Sequence, residues 1–159
     1  MMVKGHLMLA TAVFVSYKEI AFNGDWLFNY GLFIEYAAVM FGVLLPDIDH
    51  PKSTIGRKFF IISYSINKLF GHRKLTHSIL FVFSLLFLSD YVDSEVIRYL
   101  AIGSALHLLG DYLTPSGIPL FYPFGGNYRA FVNVRTNGFG EHLLSMGSLA
   151  LSAVFVYSY

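Results

Sequence analysis

Histidines and carboxylates in this sequence lie beside the ends of its apolar segments. The stretch "LLPDIDHPKS" closes a long apolar run with Asp47, Asp49 and His50. His107 and Asp111 are four residues apart, so on a helix they share one face and could bind one ion or two adjacent ions. Imidazole and carboxylate ligands suit zinc, and further oxygen ligands would shift the preference toward manganese or iron. The pattern therefore predicts a divalent-metal site.

The composition indicates a chain that lies in a membrane. Its 159 residues suit one domain, 1–159, and 55% of them are apolar while only 13% are charged. A soluble domain of this size would struggle to bury that much apolar surface. The net charge of +1 carries no information by itself, so the distribution of charge matters more. Cysteine is absent, which excludes disulfides and leaves His and carboxylates as the metal ligands.

Apolar runs predict an all-α fold, a membrane-embedded bundle of about five spanning helices plus one short interfacial helix. Each run is near the ~20 residues that a spanning helix needs. The stretch "FFIISYSINKLF" at 59–70 is too short to span and suits the interface. The five predicted spanning segments are 6–22, 28–46, 76–92, 96–113 and 142–159.

Basic residues predict the orientation of the bundle. Most of them fall between the second and third segments, and they are Lys52, Arg57, Lys58, Lys68, Arg73 and Lys74. By the positive-inside rule these connections are cytoplasmic. An up–down bundle then places on that same side the segment ends that carry all six histidines, together with Asp47, Asp49, Asp111 and Glu141.

Each of these residues also has an ordinary structural explanation. Arg73 could act only as a topology determinant at an anionic leaflet, and Thr76 could cap the helix that follows it. His50 and His142 are the expected bystanders, because a better candidate stands beside each. Ionisable residues near lipid are costly and usually functional, so the joint arrangement favours a metal site.

Several motifs, taken in order along nearly the whole chain, resemble the YdjM family. They are "GH" (5–6), "LPDIDHPKS" (45–53), "GHRKLTHS" (71–78), "HLLGDYLTPSGIPLFYP" (107–123) and Glu141. The family consists of bacterial inner-membrane proteins to which metal-dependent hydrolase activity is ascribed. By position, the resemblance implies the metal ligands His6, Asp47 or Asp49, His72, His77, His107, Asp111 and Glu141.

A more remote similarity links these motifs to zinc-dependent phospholipase C and related all-helical nucleases. The shared elements are an early His, an Asp, a following His and a His-x-x-x-Asp pair whose Asp bridges metals. Those enzymes hold three zinc ions and supply further ligands downstream, whereas this chain offers only Glu141 and His142. The similarity therefore implies one or two ions, with zinc preferred, and phosphodiester hydrolysis.

The leading hypothesis is an integral inner-membrane hydrolase that cleaves a lipid phosphoester or phosphodiester at the cytoplasmic face. Asp49 or Glu141 would accept the proton of the attacking water. Arg73 and Lys74 could bind the phosphate, and Arg73 would do so through two parallel hydrogen bonds. A site at head-group depth favours a membrane lipid as the substrate and disfavours nucleic acid.

Two other classes of function stay open. A metal-ion transporter would need polar residues along the whole membrane path, and Glu35, with Lys18 or Arg98 as its partner, is the main candidate away from the cytoplasmic end. A structural metal centre would close its coordination with four protein ligands. The substrate, the metal, the choice between Asp47 and Asp49, and the oligomeric state do not follow from the sequence.

Overall fold

The computed structural model describes residues 1–22, 31–131 and 133–158, which form seven α-helices. The helices are α1 (Val3–Phe22), α2 (Gly31–Leu44), α3 (Thr54–Lys58), α4 (Phe60–Phe70), α5 (Ile79–Tyr91), α6 (Glu95–Tyr112) and α7 (Phe139–Ser158). Within these ranges there is no strand, and an isolated bridge joins Ile118 to Tyr128. The prediction of an all-α fold is confirmed.

The expectation of five spanning helices is not supported. Among the described residues, two segments are long and apolar enough to cross a membrane by length and composition, Gly31–Asp49 and Phe139–Ser158. Helix α5 has 13 residues, a length of about 20 Å against the ~30 Å of a hydrocarbon core. Charged residues interrupt α1 and α6, although both are long enough. The first three residues of the predicted segment 28–46 lie outside the described part of the chain.

A proline ends the second helix and shapes the loop that follows. Pro46 lies in the first turn of a 3₁₀ segment, Leu45–Asp49, and proline removes a backbone donor that an α-helix would need. The Ser53 side chain then accepts a hydrogen bond from the amide of Gly56 (2.9 Å) and starts α3. The short turn between these residues carries Asp47 and Asp49 to one end of the bundle.

Helices α2 and α6 pack with their backbones in close contact. A side chain on Gly42 would collide with the backbone of Leu100, and one on Gly103 would collide with the backbone of Val39. Small residues permit this approach, which is typical of helix packing in membranes. The contact brings the C-terminal end of α6, with His107 and Asp111, beside the 3₁₀ segment that carries Asp47.

A second polar group of residues lies in the opposite half of the bundle. Lys18 forms an ion pair with Glu35, and its ammonium donates to the hydroxyl of Tyr99 at 3.3 Å. Its ammonium also lies 4.7 Å from the ring centroid of Phe22. The sequence allowed Lys18 or Arg98 as the partner of Glu35, and the structure pairs Glu35 with Lys18. Arg98 instead contacts Asp90 and Glu95 on the exposed side of α6.

An apolar core separates this ion pair from the histidines. His6 and Lys18 are twelve residues apart in α1, a distance of about 18 Å along the helix. The buried cluster between the two polar groups contains Ala10, Phe14, Val39 and Val43. The two groups are thus not joined by a polar path through these residues.

Glu35→Gln is expected to lower the free energy of unfolding by about 3 kcal/mol, because the Lys18 side chain would keep a buried charge without its carboxylate. Lys18 is only 4% exposed. Glu95→Gln is the matched control: it removes a carboxylate from an exposed pair and should change stability by less than about 1 kcal/mol. Unfolding of the detergent-solubilised protein, followed by circular dichroism, measures both. Equal effects of the two substitutions would contradict the structural importance of the Lys18–Glu35 pair.

Candidate metal centre

Five side chains from four parts of the chain converge at one end of the bundle. They come from α1, the 3₁₀ segment after α2, the turn before α5, and α6, and they are His6, Asp47, His77, His107 and Asp111. Four of them are almost fully buried, whereas the Asp47 side chain is 23% exposed. Their donor atoms form two overlapping groups, in each of which the atoms lie within 4.8 Å of one another.

Two imidazoles and two carboxylates surround one small space. His77 Nε2 lies 3.7 Å from Asp47 Oδ1 and 3.8 Å from Asp111 Oδ2. His107 Nε2 lies 3.9 Å and 3.8 Å from the same two oxygens. Ligands of a tetrahedral zinc ion with ordinary bond lengths lie about 3.3 Å apart. The atoms of Asp47, His77 and His107 lie within 4.8 Å of one another and could hold a cation, and Asp111 Oδ2 lies 3.8 Å from both imidazole nitrogens.

Unpaired nitrogen atoms in this cluster support the same conclusion. His77 Nε2, His107 Nε2 and both ring nitrogens of His6 are buried and make no hydrogen bond in the described structure. A buried polar atom without a partner costs about 1–3 kcal/mol, so native proteins rarely leave several together. A cation between the two rings would satisfy Nε2 of His77 and Nε2 of His107, and imidazole with carboxylate is a donor set that suits zinc. The residues fit a divalent metal.

Hydrogen bonds on the outer side of two rings set their orientation. His107 Nδ1 lies 2.7 Å from the carbonyl oxygen of Val43, which can only accept, so Nδ1 carries the proton and the lone pair of Nε2 faces the cluster. His77 Nδ1 lies 3.4 Å from Asp49 Oδ2 and 3.1 Å from Thr76 Oγ1, which leaves its Nε2 facing Asp47. Both rings therefore direct Nε2 toward the centre of the cluster.

The acidic surroundings of His77 favour its charged form. Burial lowers the pKa of His77, but the attraction of the nearby Asp47, Asp49 and Asp111 carboxylates outweighs burial, and the pKa of His77 is raised above its ordinary value. Metal ligation requires the neutral imidazole. A cation that binds His77 would thus have to displace a proton.

Asp49 occupies a different position from Asp47. Its carboxylate, 1% exposed, accepts hydrogen bonds from Arg73 N (2.8 Å), Thr76 Oγ1 (2.7 Å) and His72 Nδ1 (2.8 Å). Asp47 faces the two Nε2 atoms, while Asp49 holds the turn before α5, so the geometry favours Asp47 as the candidate ligand. Thr76, expected to cap α5, donates to Asp49 instead, and the residue at the helix start is Ser78, which makes no side-chain capping bond.

The two oxygens of Asp111 face opposite parts of the cluster. Oδ2 faces His77 and His107 and accepts from Arg73 Nη2 at 2.6 Å, whereas Oδ1 lies 3.2 Å from His6 Nε2 and contacts the amino group of Met1. This position suits the predicted bridging role. His107 has one free nitrogen and can serve only one of the two groups, which are Asp47–His77–His107 and His6–His107–Asp111. The first is the better candidate cation site, because Asp111 Oδ2 also lies 3.8 Å from both of its imidazole nitrogens.

The cluster is open on the side formed by the turn before α5. His72 and Arg73 have side chains 39% and 34% exposed. Arg73 has a φ of 55°, a left-handed conformation that is uncommon outside glycine and often marks functional sites. Its amide binds Asp49 and its guanidinium binds Asp111, which holds this cation at the opening.

Other predicted residues lie beside the converging set. Both oxygens of Glu141 accept backbone amides, from Met2 and Asn137, each at 2.7 Å, and the side chain is buried. Its predicted roles as ligand and base stay predictions, as does ligation by His72. The His50 ring lies 4.6 Å from that of His72, and His142 is exposed.

Two contributors are not apparent from the sequence. The Val43 carbonyl that orients His107 is a backbone group, so no residue type signals it. Thr76 stands directly before His77 in "KLTHS". A hydroxyl next to a candidate ligand histidine was the one sequence signal that could have indicated the contact of Thr76 with Asp49.

A family model and two curated relatives are similar to this chain. The family described as YdjM inner membrane protein matches residues 1–158. The chain is 37% identical over 150 residues to Inner membrane protein YdjM of Escherichia coli (strain K12), covering 87% of this chain and 74% of the relative. It is 40% identical over 118 residues to Uncharacterized protein YvsG of Bacillus subtilis (strain 168), covering 73% and 74%. No solved structure matches the chain.

Asp49→Asn is expected to lower zinc affinity about 10- to 100-fold without changing the number of ions bound, because a carboxylate that orients a ligand imidazole supports it from outside. His107→Ala should abolish tight binding. Titration calorimetry and metal analysis of the purified protein measure affinity and stoichiometry. The exposed His142, changed to Ala, is the matched control and should bind as the original chain does. Equal losses from Asp49→Asn and His107→Ala would instead make Asp49 a ligand.

Proposed function

The chain belongs to the YdjM inner membrane protein family, and we propose that it is a metal-dependent hydrolase of a lipid phosphoester or phosphodiester. One observation supports this most strongly. Buried imidazole nitrogens without partners face Asp47 and Asp111, and the half-exposed Arg73 stands at the opening of the same cluster. A metal site next to an accessible guanidinium is suited to phosphate chemistry.

The inner four residues, His77, His107, Asp47 and Asp111, would hold the cation. When bound, a divalent cation supplies Lewis-acid polarisation of a phosphoryl oxygen and of the attacking water. Arg73 would bind phosphate oxygens with Nη1 and Nε, the two guanidinium nitrogens that do not contact Asp111. The amide and side-chain contacts of Arg73 keep the guanidinium at the opening, so little ordering would be needed when the substrate binds.

The base of the reaction is best assigned to the most exposed carboxylate. Asp49 and Glu141, the two candidates from the sequence, are buried and already accept three and two hydrogen bonds, respectively. Asp47 is 23% exposed, and its Oδ1 lies 3.7 Å from His77 Nε2. Its carboxylate is thus the one that water can reach, and it would accept the proton of the attacking water.

Exposed apolar side chains around the opening favour a lipid substrate. Helix α4 buries only Ser63 and exposes Phe60, Ile61 and Leu69. It is joined to the site by Asn67, which donates to the carbonyl of Asp49 at 2.8 Å. A surface this apolar is unfavourable in water and suits the membrane interface, in line with the predicted interfacial helix at 59–70.

The basic residues near the site suggest its side of the membrane. Lys52, Arg57, Lys58 and Lys74 lie in or beside the segments that carry Asp49 and His77. By the positive-inside rule this end of the bundle is cytoplasmic, and the proposed site would act on the inner leaflet.

Transport of the ion across the membrane is less well supported. The apolar cluster of Ala10, Phe14, Val39 and Val43 lies between the metal site and the Lys18–Glu35 pair. A structural metal centre is the stronger alternative, because four protein ligands could saturate a tetrahedral ion.

Zinc-loaded protein in proteoliposomes is expected to hydrolyse a phospholipid or an isoprenoid phosphate. Arg73→Gln should lower kcat/KM at least about tenfold with unchanged zinc content, because it removes a charged hydrogen bond to phosphate. Arg57→Gln, at an exposed arginine outside the cluster, is the control and should have a much smaller effect. Released phosphate or head group is measured against zinc content. Tight zinc binding without turnover of either lipid class would overturn the hydrolase and favour the structural centre.

A further inference from the structure

A groove of about 660 Å³ lies between α1 and α7, away from the polar cluster. Its walls carry large apolar side chains, among them Val13, Tyr17, Leu151 and Phe155. The small residues at its base are Ala12, Ser16, Ser148 and Ser152.

The serines of α7 do not make this groove polar. The hydroxyl of Ser148 donates to the carbonyl of Ser145 at 2.9 Å, and that of Ser152 donates to the carbonyl of Leu149 at 2.9 Å. Because each proton is used within the helix, neither hydroxyl presents a free donor to the groove. A hydrocarbon chain could therefore lie there without burying an unsatisfied donor from these two residues.

The groove continues the line of contact between two helices that both begin at the metal site. Gly5 packs so closely on Glu141 that an added Cβ would lie 2.5 Å from Oε1. Gly5 and Ala12 are seven residues apart, as are Glu141 and Ser148, so each pair lies on one face of its helix. The helices are in close contact at the site and leave space between them further along.

The distances along α7 suit one lipid molecule with its head group at the metal site and its tail in the groove. Ser148 and Phe155 follow Glu141 by seven and fourteen residues, or about 10 and 20 Å along the helix. One leaflet of the hydrocarbon core is about 15 Å thick. With a phosphate head group at the site, the groove lies at the depth of that lipid's tail.

We propose that this groove binds the hydrocarbon tail of the lipid whose phosphate group is bound at the metal site. The inference rests on the proposed function for the identity of the head group. The candidate metal site carries the positive charge of Arg73, and the groove offers an apolar surface further along the helices that begin there, a combination that is complementary to an anionic amphiphile with an extended tail. The chemical class of substrate is then a long-chain phosphate lipid rather than a soluble phosphoester.

Ser148→Trp would fill the groove, and Met146→Trp is the matched control, since Met146 is exposed on the opposite face of the same helix. In zinc-loaded full-length protein, Ser148→Trp is expected to raise KM at least about tenfold for a long-chain phosphate lipid. Hydrolysis of a short-chain analogue with the same head group should stay unchanged. Met146→Trp should alter neither. Equal losses on both substrates by Ser148→Trp at normal zinc content would overturn the tail site.

Photo-crosslinking tests the groove independently of turnover. A phosphate lipid with a photoreactive group near its tail end should label residues 12–20 and 148–155, and Ser148→Trp should remove that labelling while Met146→Trp preserves it. Labelling spread evenly over the lipid-facing helices, or crosslinks between two copies through these residues, would overturn the proposal. Groove labelling without hydrolysis of any lipid would retain the tail site and reject the hydrolase.

Discussion

The close contact between α2 and α6 is the constraint on which the metal centre depends. Gly42 and Gly103 let the two backbones meet, and this approach puts the Val43 carbonyl within 2.7 Å of His107 Nδ1. The hydrogen bond fixes the tautomer, and therefore the atom of His107 that faces the cluster. A bulkier residue at either glycine would separate the helices and remove that contact. Packing of small residues in the bundle thus determines the chemistry at its end.

Ionisable residues in an apolar bundle need partners, and the two polar groups of this chain meet that need differently. Lys18 and Glu35 neutralise each other and are joined to a tyrosine hydroxyl. The cluster at the other end has more buried imidazole nitrogens than hydrogen-bond partners for them, and several nitrogens make no hydrogen bond. A ligand that binds only the folded state stabilises it. The charges of the Lys18–Glu35 group are already paired, whereas unpaired nitrogens of the cluster would be satisfied by a bound cation.

The sequence predicted the all-α class and the assembly of His- and carboxylate-bearing segment ends, because motif spacing and helix direction determine these features. It did not predict the number of spanning helices. Apolar runs were counted as helices, but the run 76–92 begins with a 3₁₀ turn and its helix starts only at Ile79. The distinction between Asp47 and Asp49 depends on the path of a five-residue turn, and residue types alone do not determine that path.

That turn places a carboxylate on each side of one imidazole. Asp47 faces His77 Nε2, and Asp49 faces His77 Nδ1 while it also accepts the Arg73 amide. Asp49 thereby connects the orientation of a candidate ligand to the position of the guanidinium at the opening. Because Arg73 also binds Asp111, the group proposed to bind phosphate is attached to the candidate metal centre at two points. Any shift of the turn that altered the positions of the candidate metal ligands would move Arg73 as well, so the proposed metal and phosphate sites would be coupled through a single short segment.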